Sequence, residues 1–496
     1  MKTPSSDLFA LIKSMNKTEK RYFKLYAARH YANKNQYAKL FQFIDKQSIY
    51  NEKDLLKDFS VSKSTAHFAV IKKQLYENIL ESLHRYDEFA QNEQKIYKGI
   101  HYCTLLLKKG LFDQCKKQIK KYKTLARDLE KFENIIELIE IEKRLIAKTQ
   151  FTSISYIQLK DLQEEQNICL QQLDTTGSYW LKSNTIFKMH YEKKIAPGKE
   201  NNELTELMKD DHFKFSDKAT TFKSKLDHLQ INALHAFVNG NVSKAYQLNA
   251  QFIQLVDEHK HLKLLFADRY FSALNNYLID SLILKKNKEL ISGIALMRSL
   301  PALPEFKHIQ NLDANVFRLS YLLEMNYYVS GEQFDKALNC LNEIKIGLIK
   351  FKDQIAKPNI ITLRYLCAYT LFRKRNFKTC LSELIHLLNI KEIETISDLY
   401  RDSRMMEMLC HFELGDNFLV ESQIISFNRL LQIKKMKYQT FKVIMRFIKQ
   451  STQKIQKPKK EDLEKELLNL SEKDYEKSLF NNFNYVYWIQ YVTNSK

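Results

Sequence analysis

Residues 327–344 read YYVSGEQFDKALNCLNEI. An apolar helix end at Tyr328 meets a short polar turn holding Gly331. A second apolar run follows through Phe334, Ala337, Leu338, Leu341 and Ile344. Steps of three and four residues put side chains on one face of a helix. The stretch therefore reads as a turn between two helices, with a small residue, Ala337, where they approach closely. Four other stretches align with it: FVNGNVSKAYQL, ILKKNKELISGI, LFRKRNFKTCLSEL and FELGDNFLVESQII. Phe334 matches Phe377 and Phe418, and Ala337 matches Ala245 and Cys380. The equivalent positions are 245, about 291, 337, 380 and 421, a period of 41 to 46 residues. One hairpin cannot bury both of its faces, so repetition at this period implies stacked helical hairpins.

The spacing of Tyr328, Gly331, Phe334, Ala337 and Leu341 resembles the tetratricopeptide repeat, over about residues 220–430. The match is closest at 321–348, then at 363–390 and 405–430, and looser at 229–256 and 270–298. The period is about ten residues longer than the family's, and the Trp of the first helix and the Pro closing the repeat are missing. The resemblance implies a right-handed α-solenoid with a concave groove that binds a peptide or protein. First-helix positions facing that groove would include Asn276, Asn326, Tyr365 and Tyr369. Asn hydrogen-bonds an extended backbone, and Tyr adds contact area at low entropic cost.

The rest of the chain agrees with an all-α class. Only 9 Gly and 6 Pro occur in 496 residues, too few for the turns of antiparallel sheets. The length exceeds one ordinary core. Residues 1–90 read as short helices, 91–195 as long helical hairpins, 196–432 as the repeat array, and 433–496 as a basic helix followed by a C-terminal capping helix. The loop IAPGKENN, residues 195–202, marks a soft boundary. Asn16 and Glu19 form an N-terminal capping signal, after which Tyr22, Leu25 and Tyr26 share a face. A helix from about Ser64 to Arg85 buries Phe68, Ile71, Leu75, Ile79 and Leu83. At the other end Phe480, Phe483, Tyr487, Trp488 and Tyr491 form one aromatic stripe that packs on the last hairpin.

Signals for catalysis are sparse. No phosphate-binding loop, HExxH or GxSxG occurs, so the chain reads as non-enzymatic and without a cofactor or metal. His259 and His261 lie two apart, which on a helix points them away from each other. Glu133, Glu137 and Glu140 read as a solvated face, and Cys410 beside His411 as a buried thiol. The seven cysteines lack any CxxC and read as buried apolar residues in a reducing compartment. With no apolar run long enough for a signal peptide or a membrane span, the expected location is cytoplasmic. The excess of Lys, Ile and Asn suggests a low-GC bacterial genome.

Net charge is +21, which favours acidic partners: a protein or peptide, or nucleic acid. Residues 422–460 hold eleven Lys or Arg and no Asp or Glu. On a helical wheel Lys435, Lys442, Arg446 and Lys449 cluster with Tyr438 beside them, opposite Met436, Val443, Ile444 and Phe447. Such a stripe suits phosphates, an acidic protein or anionic lipid. Residues 55–75, LLKDFSVSKSTAHFAVIKKQL, resemble a helix-turn-helix: Leu56 and Phe59, a turn at Ser60–Ser62, then Ser64, Thr65 and His67 opening a second helix. Ser60 stands where that family has Gly, and Leu56 where it has Ala. The leading expectation is an interaction scaffold; the alternative is a nucleic-acid-associated protein acting through 55–75 or 422–460.

Overall fold

The computed structural model describes residues 6–30, 34–52, 54–55, 65–87, 92–152, 154–192, 202–395, 397–434, 436–453 and 459–492. Every element among them is helical. In chain order the helices of eight residues or more are α1 (Asp7–Ser14), α2 (Lys17–His30), α3 (Lys34–Lys46), α4 (Thr65–Asp87), α5 (Asn92–Lys108), α6 (Phe112–Asp128), α7 (Phe132–Lys148), α8 (Tyr156–Tyr191), α9 (Phe222–Val238), α10 (Val242–Glu258), α11 (Ala267–Ile283), α12 (Asn287–Ser299), α13 (Leu312–Ser330), α14 (Phe334–Lys350), α15 (Lys357–Arg373), α16 (Phe377–Leu388), α17 (Ser397–Leu414), α18 (Asn417–Ile433), α19 (Gln439–Gln453), α20 (Lys460–Ser471), α21 (Asp474–Asn482) and α22 (Tyr485–Val492). The chain divides into two compact units, 1–178 with 220–222, and 179–219 with 223–496. That division falls at Ser178, not at the Pro197-Gly198 loop, which lies outside the described residues.

In the first unit α1 to α4 share a core of Leu8, Ile12, Phe23, Leu40, Phe41, Ile44, Phe68, Ile71, Leu75 and Ile79. The expected capping box forms at α2: Asn16 Oδ1 accepts the Glu19 N–H at 2.9 Å and Glu19 Oε2 accepts the Asn16 N–H at 2.7 Å. The buried face of α2 is Phe23, Tyr26 and Ala27, while Leu25 turns out to solvent. Phe23 meets Phe41 across the core at 4.7 Å, so it, not Leu25, has the apolar partner. Helices α5, α6 and α7 form consecutive hairpins.

In the second unit α11–α12, α13–α14, α15–α16 and α17–α18 are packed hairpins, and each first helix also touches the next first helix along. One turn geometry recurs in both units. Gly110, Glu130, Gly240, Lys285, Glu332, Arg375 and Gly415 all adopt the left-handed conformation, with φ between 51° and 81°. The following residue donates its N–H to the carbonyl five residues back, at 2.8–3.0 Å, closing the helix with a Schellman motif. Its own carbonyl accepts the first N–H of the next helix, so one residue ends one helix and starts another. That N–H belongs to the residue five after the left-handed one: Cys115, Ile135, Ala245, Leu290, Ala337, Cys380 or Val420. Each of these is 0 or 1% exposed.

These turns correct the sequence register. The equivalent positions are 290 and 420, where 291 and 421 were expected, and the turn residues of the second unit lie 45, 47, 43 and 40 residues apart. Gly331 is not the left-handed residue of its turn; Glu332 is. The C-terminal aromatics do not form one helical stripe either. The chain breaks at Phe483 between α21 and α22. Phe483 packs on Tyr369 and Phe372, Trp488 on Phe412 and Phe447, and Tyr487 lies 3.6 Å from the Arg373 guanidinium. Tyr491 is about half exposed.

Two stability outcomes follow from the turns. Ala337→Leu forces methylenes into a fully buried helix crossing and should lower stability by roughly 1–3 kcal/mol. Lys285→Gly removes a side chain from an exposed left-handed position and should raise stability by about 0.5–1 kcal/mol, net of the entropy glycine loses on folding. Denaturant unfolding of both variants measures the two shifts, which must have opposite signs.

Candidate functional site

Helix α11, ADRYFSALNNYLIDSLI, buries Tyr270, Phe271, Ala273, Leu274 and Leu278 in the core. Its remaining face carries Asp268, Ser272, Asn275, Asn276 and Ile279. This face opens into a cavity of about 890 Å³ within the second unit, walled by the first helices α9, α11 and α13, by Phe187 and His190 of α8, by Asn249 of α10 and by residues 308–310. Arg269 braces α9 against α11, pairing with Asp227 at 2.8 Å and donating to Gln230 at 2.8 Å. Phe237, Leu234 and Leu319 supply apolar wall.

Three polar groups of the cavity are incompletely matched. Asp280 is 2% exposed, and Asn249 Nδ2 donates to its carboxylate at 2.8 Å. Burial pushes its carboxyl up to about 6, against the smaller opposing effect of that hydrogen bond. Asn275 Oδ1 is buried and accepts no hydrogen bond among the described residues. Arg318 is half-buried, burial pulls its guanidinium below the usual range, and no carboxylate offsets this. Among the described residues its one hydrogen bond is a long one to Asn315 Oδ1 at 3.4 Å. A buried polar group without a partner costs about 1–3 kcal/mol, and all three of these groups line one cavity.

Of the four groove positions expected from sequence, Asn276 lines this cavity. Asn326 is exposed but donates to the Leu322 carbonyl of its own helix at 2.7 Å. Tyr365 and Tyr369 are not open to a ligand: they are 4% and 5% exposed. Phe483 covers Tyr369, whose hydroxyl accepts the Asn484 N–H at 3.2 Å. The sequence reading passed over Asn249, Asn275, Asp280 and Arg318. The available signal was a polar Asn-Asn pair followed by Asp one turn later in an otherwise apolar helix.

The basic stripe is partly as expected. Lys442, Arg446 and Lys449 lie exposed along α19, whose other residues Phe441, Val443, Ile444, Met445, Phe447 and Ile448 are buried. Arg446, however, pairs with Glu466 of α20 at 2.6 Å. Tyr438 does not join the stripe: it stacks on Tyr475 with ring centroids 4.8 Å apart and lies over Arg401. Lys435 lies outside the described residues, as do 56–64 of the helix-turn-helix-like stretch.

Glu133, Glu137 and Glu140 are exposed, and Cys410 is buried. His259 ends α10 and does not share a helix with His261, so their rings come within 6.1 Å, against the expectation from helical spacing. No cluster of three potential metal ligands occurs among the described residues, and none of their helices is long and apolar enough to cross a membrane. No family model, curated protein or solved structure matches the chain.

The raised Asp280 carboxyl has a measurable consequence. Below about pH 4 both folded and unfolded states hold the proton, and the group contributes nothing. As pH rises through 6 the unfolded state has already lost it, and burying the charge costs roughly 2–3 kcal/mol. Asp280→Asn keeps an acceptor for Asn249. It should therefore be more stable than the parent at pH 7.5, with the gap closing as pH falls to 4. Urea unfolding across that range reads the gap directly; a constant gap refutes the assignment.

Proposed function

We propose that this chain is a non-enzymatic interaction adaptor. Its hairpins over about 220–430 resemble tetratricopeptide repeats stacked as a right-handed solenoid, and the first-helix face receives an extended segment of a partner protein. The observation that carries this reading is the cavity on α9, α11 and α13, where Asn275 Oδ1 and Arg318 lack matching groups and Asn276 stands exposed at the wall. Its size falls in the range of ligand sites. The net charge of +21 supports a partner that is acidic overall.

The nucleic-acid reading has less support. Arg446 already has a carboxylate partner, which brings the stripe closer to an ordinary solvated helix face. A photo-reactive phenylalanine derivative in place of Asn276 tests the adaptor reading in lysate of the native host. The same derivative replacing Ile349, which is 78% exposed on the second helix α14, is the control. A protein crosslinked at 276 and absent at 349 is the expected result. No crosslink at 276, or the same products at both positions, overturns it.

A further inference from the structure

The cavity carries charges of both signs that do not neutralise each other. Among the described residues neither group forms an ion pair: Arg318 has a long bond to Asn315 Oδ1, and Asp280 accepts from the Asn249 amide. Their separation can be read from the repeated turn. Arg318 lies 14 residues before the left-handed Glu332, and Asp280 lies 5 before the left-handed Lys285. Successive first helices pack side by side, so the two groups are offset by nine residues in register, about 13 Å along the helix axes at 1.5 Å per residue. Asn275, ten residues before its turn, falls between them.

Resting on the adaptor reading, we infer that the cavity takes an extended peptide segment with an acidic side chain against Arg318 and a basic side chain against Asp280. A backbone N–H between them is donated to Asn275 Oδ1. An extended chain covers about 3.3–3.6 Å per residue, so about four residues bridge the two charges. A single amino acid is too short. A phosphate backbone would meet Arg318 at one end but would be repelled by Asp280 at the other. The segment must place a donor between its two charges, as a peptide backbone N–H does, and the apolar wall of Phe237, Leu234 and Leu319 accommodates the side chains between the charged ends.

The test uses the full chain and a phage-displayed random heptapeptide library, in which the peptides have no free C-terminal carboxylate. Enriched peptides should hold Asp or Glu three to five positions from Lys or Arg. Binding of a synthetic enriched peptide, followed by fluorescence anisotropy, should weaken about tenfold or more in Arg318→Met and in Asp280→Asn. Panning against Arg318→Glu should replace the acidic preference with a basic one, a change that a merely structural Arg318 would not produce. Thermal melts confirm folding, and Arg318→Met carries the test if Arg318→Glu does not fold. Enrichment without the charge pattern, the same pattern against Arg318→Glu or Arg318→Met, or no enrichment overturns the inference. If free C-terminal peptides bind where displayed ones do not, the anionic group is an α-carboxylate and the side-chain assignment falls. A host protein crosslinked at position 276 without the charge pattern leaves the adaptor reading standing and removes only this one.

Discussion

The left-handed residue between paired helices is the constraint on which the rest of the architecture depends. It lets one residue satisfy the last carbonyls of one helix and begin the next, so the reversal takes two or three residues. It also fixes which residue of the second helix points inward: the fifth after the turn, buried in all seven instances. Helix separation is then tuned locally. Ala245, Ala337 and Cys380 permit close approach at that position. Where the position holds Leu290, closeness comes instead from Gly293, whose missing Cβ makes room for Leu278. Gly347 does the same for the Phe317 ring. The array is thus regular in its turns and variable in its crossings, and its period drifts between 40 and 47 residues because helices and the connections between hairpins differ in length.

The helices and most turns were legible because they rest on local signals: scarce Gly and Pro, three-to-four periodicity, and an aromatic and a small residue at fixed spacing. The exact turn residue was not. Lys285, Glu332 and Arg375 take the left-handed conformation although their side chains disfavour it by about 1–2 kcal/mol, so nothing in composition marks them. Tertiary pairing overrode the functional reading in the same way. Tyr369 looked like a groove residue, but Asn484, 115 residues along the chain, hydrogen-bonds to it. Arg446 looked unopposed, but Glu466 approaches it from the next helix. Asn276 was legible because it is polar on a helix whose other faces are apolar. Arg318 was not, since its lack of a counter-charge is a property of the space around it.

The first-helix face behaves differently at its two ends, and the closed end shows what such a face can hold. On α15 and α17 the chain's own residues 483–491 occupy it. The Tyr369 hydroxyl accepts a backbone N–H, Arg375 Nη1 donates to the Tyr491 carbonyl at 2.8 Å, Arg373 lies over the Tyr487 ring, and the Trp488 indole N–H meets Glu413 at 2.9 Å. There, side chains on first helices read the backbone and side chains of a crossing segment.

On α9, α11 and α13 the same face keeps comparable groups without such a segment. Burying the Asp280 carboxylate and leaving Asn275 Oδ1 without a donor both work against folding. An apolar side chain at either position would relieve the cost without disturbing the turns, which depend on other residues. A fold that tolerates this expense on one stretch of a face, and fills the corresponding stretch on α15 and α17 with its own chain, is arranged as if the open stretch were to be completed from outside. Stability given up at a site, where simple substitutions would restore it, is the usual physical mark of binding.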